Sequence, residues 1–144
     1  MTVQQISVFV ENRPGQLAEF TKLLEEKNID LRALSMAEAE DFGILRIIVD
    51  DTYNTIQTLK NAGYICSVTP VVAVEIEDKP GSLVKVVHTL AEGGINLEYT
   101  YAFLTSKKAA AYVIFRVADS DAAVEILRKA GIKVVSQEEL ETLF

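Results

Sequence analysis

Ile6, Val8 and Val10 take every second position near the start of the chain, the period of a strand. After a polar break at Asn12–Gly15 the period changes. Leu17, Phe20, Leu23 and Leu24 recur at helical spacing, and Asn28 stands where a left-handed residue would end that helix. Leu31 to Ala37 and the β-branched run Ile44 to Val49 return to strand patterning, with an acidic turn from Glu38 to Asp41 between them. Asp51 or Thr52 can cap a second helix carrying Ile56 and Leu59, stopped by Gly63, and a fourth strand runs from Tyr64 towards Thr69. The order is βαββαβ.

The chain then repeats itself. Val72, Val74 and Ile76 match Ile6, Val8 and Val10; Asp78-Lys79-Pro80-Gly81-Ser82-Leu83 matches Asn12-Arg13-Pro14-Gly15-Gln16-Leu17. Leu83 and Leu90 follow Leu17 and Leu24, and Gly94 replaces Asn28, an exchange between the two residues that best tolerate a left-handed backbone. The offset of 66 (80 − 14) becomes 68 by Gly131, which matches Gly63 (131 − 63), so the added residues fall near Ser106-Lys107-Lys108. Asp119 to Ala130 reads as a helix, Ile132 to Val135 as the last strand, and Ser136-Gln137-Glu138-Glu139 as a capping box opening a short helical tail. The expected units are 1–69 and 70–144, closely packed, since Thr69-Pro70-Val71-Val72 has no linker character.

Two tandem βαββαβ units predict an α+β protein of ferredoxin-like units, each an antiparallel sheet with its helices on one face. The other face should be polar if it met only water. Instead Phe9, Ile44, Ile48, Tyr112 and Ile114 alternate with the helix-facing set Leu45, Ile47, Val49, Val113 and Phe115. Either the register is misread or this face packs in a homodimer; a mean hydropathy of +0.20 favours the dimer.

Each Pro-Gly step joins a strand to a helix. Proline spares the N–H that a first helical turn can lose, glycine admits close approach, and the helix end favours an anion. That predicts a doubled small-molecule site. A net charge of −7 argues against nucleic acid and against an anionic membrane surface. One cysteine, Cys66, forms no internal disulfide, and no leader or membrane-length apolar run is seen, so a cytoplasmic location is expected. One His and one Cys leave no metal site, no cofactor motif is present, and no nucleophile elbow, P-loop or paired-cysteine motif suggests an enzyme.

The strand, the Asn/Asp-x-Pro-Gly-x-Leu turn, the helix and the Ile95-Asn96-Leu97 or Ile29-Asp30-Leu31 start of strand two together resemble the ACT domain, in both halves. ACT domains are regulatory modules of amino-acid biosynthetic enzymes, so the resemblance implies a free-standing tandem ACT protein that binds an amino acid and signals to a regulated enzyme. It also implies that units pair through their second strands, with effectors at the seam. On this chain the implied ligand-binding positions are Asn12, Arg13, Gly15, Gln16 and Leu17 with Asp30, and Asp78, Lys79, Gly81, Ser82 and Leu83 with Asn96. Helix-end N–H groups suit a carboxylate, and Asp or Asn side chains an ammonium.

Acid and amide exchange between the halves. Sites built within one unit would each hold one carboxylate; across the seam, Asn12 would meet Asn96 and Asp78 would meet Asp30, giving unequal sites. The competing readings are structural. Asn12 and Asp78 could be helix caps, Arg13 and Lys79 solvated turn residues, His88 a surface helix residue, and Tyr99 and Tyr101 interface packing. In the alternative function, the chain is a ligand-free assembly module.

Overall fold

A computed structural model describes residues 1–38, 40–103 and 110–142. Its elements are β1 (Val3–Glu11), α1 (Gln16–Glu26), β2 (Leu31–Glu38), β3 (Phe42–Val49), α2 (Thr52–Asn61), β4 (Ile65–Glu77), α3 (Ser82–Glu92), β5 (Tyr99–Phe103), β6 (Ala110–Arg116), α4 (Ser120–Lys129), β7 (Lys133–Val135) and α5 (Gln137–Thr142). The βαββαβ order is written twice, with one difference from the expected breaks. The fourth strand of the first repeat and the first strand of the second are a single strand of 13 residues, β4. Pro70 does not interrupt it, because a proline and the residue before it both favour extended backbone. The inserted residues expected near Ser106-Lys107-Lys108 lie outside the described residues.

The chain divides into two compact units, Gln4–Thr69 and Pro70–Phe144 with Met1–Val3. In the first, β3 pairs antiparallel with both β1 and β2, placing Val8 opposite Leu45 and Leu34 opposite Ile47. Alternation then sends Ile6, Val8, Val10, Leu45, Ile47 and Val49 to the face covered by Phe20, Leu24 and Leu59. In the second, β6 pairs antiparallel with β4 and β5, and β7 with β4, so Val72, Val74, Val113 and Phe115 meet Val86, Leu90, Val124 and Leu127. Each fully buried large aliphatic or Phe side chain contributes roughly 1.5–3 kcal/mol.

The face opposite the helices is apolar because of a correct register, not a misread one. Ile48, Tyr112 and Ile114 on it are buried. Phe9 and Phe42 remain 44% and 42% exposed, as a tilted ring pair 5.8 Å apart.

Local signals behave as physics requires. Asn28 and Gly94 both sit at positive φ, 55° and 75°, and each reverses the chain after its helix. Asp51 and Asp119 cap α2 and α4 by accepting from the N–H of Asn54 and Ala122. The Ser136 hydroxyl accepts from the Glu139 N–H, and Leu140 of the helix it starts is fully buried.

Candidate functional site

Both Pro-Gly turns have the same construction. Gly15 (φ 86°) and Gly81 (φ 90°) are the cap residues of α1 and α3, in the left-handed region that glycine alone adopts without strain. Proline therefore precedes the cap rather than opening the helix as expected, since the left-handed residue must stand between it and the first turn. Neither helix receives a side-chain cap. Asn12 and Asp78 thus do not act as caps. Asn12 is used otherwise: its backbone N–H donates to the Asp41 carbonyl (3.1 Å) and its Nδ2 to the Glu40 carbonyl (3.4 Å), holding the turn to the β2–β3 connection. Among the described residues the N–H groups of Leu17 and Ala18, and of Leu83 and Val84, have no protein acceptor. Such open first-turn donors lie at the positive end of the helix dipole.

A cation stands beside each turn. The Arg13 Nε lies 2.6 Å from Glu11, and Lys79 Nζ lies 2.7 Å from Glu77. Each cation's own N–H also donates to the carbonyl of that glutamate at 3.0 Å, so the two arrangements are superimposable in their bonding. The hydrogen bond and charge of Glu11 raise the Arg13 pKa, and those of Lys79 lower that of Glu77. Gln16 is buried, and with its amide turned its oxygen accepts from Arg13 Nη2 at 2.6 Å. Leu17 packs against the first core, whereas Leu83 is exposed and Ser82 half-buried.

A groove opens beside each turn, between the helix and the residues entering the fourth strand of the repeat. The first, about 650 Å³, is lined by Arg13, Gln16, Glu19, Leu23 and Tyr64 among others. Burial and the nearby Glu19 charge raise the Tyr64 pKa. The second, about 480 Å³, is lined by Lys79, Gly81, Ser82, Lys85 and Lys133 among others. Both volumes suit a small molecule. Sequence reasoning missed Glu19 and Lys85. Their spacing of three from Gln16 and Ser82 puts them on the same helix flank, and that was the available signal.

Asp30 and Asn96 are elsewhere. Glu11 pairs opposite Phe42 while Leu31 pairs opposite Val49, seven residues further along β3 (49 − 42). At about 3.3 Å per residue, Asp30 is roughly 23 Å from the Asn12 turn. It is bound instead to Arg32 (2.9 Å), and its N–H donates to Asp50 (3.2 Å). In the second unit Glu77 pairs opposite Ala110 and Tyr99 opposite Arg116, six residues apart (116 − 110), so Asn96 lies about 20 Å or more from the Asp78 turn. A site joining Asn12 to Asp30, or Asp78 to Asn96, within one unit is therefore ruled out by topology: β1 and β2 run the same way, and their near ends are not adjacent.

Other candidates resolve simply. His88 is exposed and 3.0 Å from Glu92 one helical turn on, and the half-buried Cys66 packs against the first core, where burial raises its pKa. Tyr99 and Tyr101 stack with ring centres 6.5 Å apart. Among the described residues no three His, Cys, Asp or Glu side chains converge as a metal site, and no helix is long and apolar enough to cross a membrane.

The sequence profile of the ACT domain pair matches residues 1–144. The fold is similar to that of protein BT0572 from Bacteroides thetaiotaomicron, with 36% identity over 99% of this chain and 98% of that one and a TM-score of 0.91. It is also similar to the ligand-free regulatory subunit of aspartate kinase from Thermus thermophilus (18% identity, 88% and 91% covered, TM-score 0.66). The regulatory subunit of aspartate kinase from Thermus flavus follows (17%, 89% and 92%, TM-score 0.61). No curated protein matches the chain.

Proposed function

This chain belongs to the ACT domain pair family, and from that premise we propose that it is a regulatory protein that binds an amino acid at its Pro-Gly turns and signals to a partner. The observation that carries this reading is the twofold construction of the turn. A left-handed glycine leaves the first helical N–H groups uncapped, a cation is braced by the glutamate two residues earlier, and a groove opens alongside. A purely structural turn needs none of these to be repeated. The resemblance in fold to a regulatory subunit of aspartate kinase is consistent with regulation through amino-acid binding, by a change in the relative stability of two states.

Asp30 and Asn96, too far from the turns within one unit, join this reading through a second chain in the assembly we propose. Among the described residues β2 and β5 each pair on one side alone, and Leu34 and Met36 on β2 are exposed apolar side chains at such an edge. Antiparallel addition of a second copy along β2 reverses strand direction, and so brings the start of the copy's edge strand to the end where the Asn12 turn lies. A homodimer of this kind is the assembly we propose. The test is a thermal-shift screen of the full chain with the twenty amino acids. At 100 times Kd a ligand adds about 2.7 kcal/mol of stability, and Arg13→Ala combined with Lys79→Ala is expected to abolish the shift. No shift with any amino acid contradicts the reading.

A further inference from the structure

The two grooves occupy the same place in their repeats but differ in chemistry at particular positions. One turn beyond the cap, the first groove presents Glu19 and the second Lys85. The exposed Phe9–Phe42 pair borders the first groove. The strand registers place Glu75 and Ala110 at the corresponding positions of the second unit. Glu75 is held there by Tyr112 (2.5 Å) and Lys133 (3.2 Å). Tyr64 and Ile65, which close the first groove, correspond to Ile132 and Lys133 in the second. The first groove thus sets Arg13 and the Gln16 amide beside the turn and Glu19 one helical turn away, with Glu11, Lys22 and Glu26 also in its lining, against an aromatic wall of Phe9, Phe42 and Tyr64. The second has the ammonium groups of Lys79, Lys85 and Lys133, the Ser82 hydroxyl and the carboxylates of Glu75 and Glu77, each ion-paired to a lysine, and among the described residues no aromatic ring.

Building on the amino-acid reading of the turns, we infer that the first groove is the amino-acid site, and that its ligand carries a large apolar side chain. Arg13 and the Gln16 amide face the ligand carboxylate, Glu19 accepts from its ammonium, and the side chain lies along Leu23, Tyr64 and the Phe9–Phe42 pair. The zwitterion carries two charges of opposite sign; the first groove meets them with Arg13 and with Glu19, whereas both carboxylates lining the second are already ion-paired to lysines and Lys85 stands where Glu19 does. Lys85 in place of Glu19 repels the ammonium, so the second groove does not hold the same ligand. The site lies on the flank of α1 away from Asp30 and is complete within one unit.

The test is titration calorimetry of the full chain with phenylalanine and, separately, alanine. Four chains are compared: unaltered, Glu19→Lys, Phe42→Ala, and the charge-matched control Glu125→Lys on helix α4 of the second unit. Circular dichroism establishes that each is folded. The expected result is one phenylalanine per chain, with alanine at least tenfold weaker. Glu19→Lys should lose at least tenfold, Phe42→Ala should lose several-fold, and Glu125→Lys should stay within twofold. Binding of an amino acid that survives both Glu19→Lys and Phe42→Ala overturns the groove assignment and leaves the sensor standing. Two equal sites per chain, or alanine binding as tightly as phenylalanine, does the same. Absence of binding by all twenty amino acids removes the sensor itself.

Discussion

At the scale of single residues, the turn depends on a backbone conformation more than on a contact. An added Cβ at Gly15 or Gly81 meets nothing within 4 Å, so the whole cost of alanine there is the left-handed φ. That cost is about 1–2 kcal/mol, read as a lower denaturant midpoint without a change of slope. The glycines were legible in the sequence, but their reason was not: close approach of a ligand and a positive φ leave the same letter. Tyr112 gives a second prediction. Burial first, and then the hydrogen bond and charge of Glu75, push its pKa up to about 12 from an ordinary value of 10. The neutral phenol is therefore favoured by folding. Its contribution is complete below pH 10 and lost as pH rises through 10 to about 12. The melting temperature of the unaltered chain should fall more steeply over that range than that of Tyr112→Phe.

At the scale of elements, the alternating and helical patterns located nearly every strand and helix, because in each unit every second strand residue meets an apolar helix stripe. Asp119 was readable as a cap; Asp119→Ala should cost about 1 kcal/mol in thermal or denaturant unfolding. Core positions such as Leu90, fully buried under the second sheet, should cost roughly 2–5 kcal/mol as alanine. The fusion of two strands into β4 escaped the sequence reading, since Pro70 marks a boundary and an extended residue equally well. The distance of Asp30 from Asn12 also escaped it, although it follows from connectivity. A helix that returns the chain between two strands running the same way sets the start of β2 level with the start of β1, far from the turn. Glu19 and Tyr64 went unrecognised for another reason: one is a common surface residue of an amphipathic helix, and the other is 45 positions away (64 − 19) in sequence. Only packing brings them to one groove.

At the scale of the whole molecule, family membership and fold are set by two repeats that agree in pattern, turn and register, while the proposed function rests on the turns. Assembly is separable from ligand binding. The proposed dimer predicts a solution mass of twice 15.9 kDa by light scattering, and Met36→Lys on the exposed edge strand should return it to the single-chain mass; a monomeric unaltered chain contradicts the edge-pairing proposal alone. The central claim is that the Pro-Gly turns hold a small ligand. Its most direct measurement is an amide-resolved NMR titration of the full chain with phenylalanine. The account predicts saturable shifts concentrated at residues 13–19 and 63–65, absent in Glu19→Lys. Saturable shifts confined to other surfaces, or no shifts with phenylalanine or any other amino acid, would contradict it.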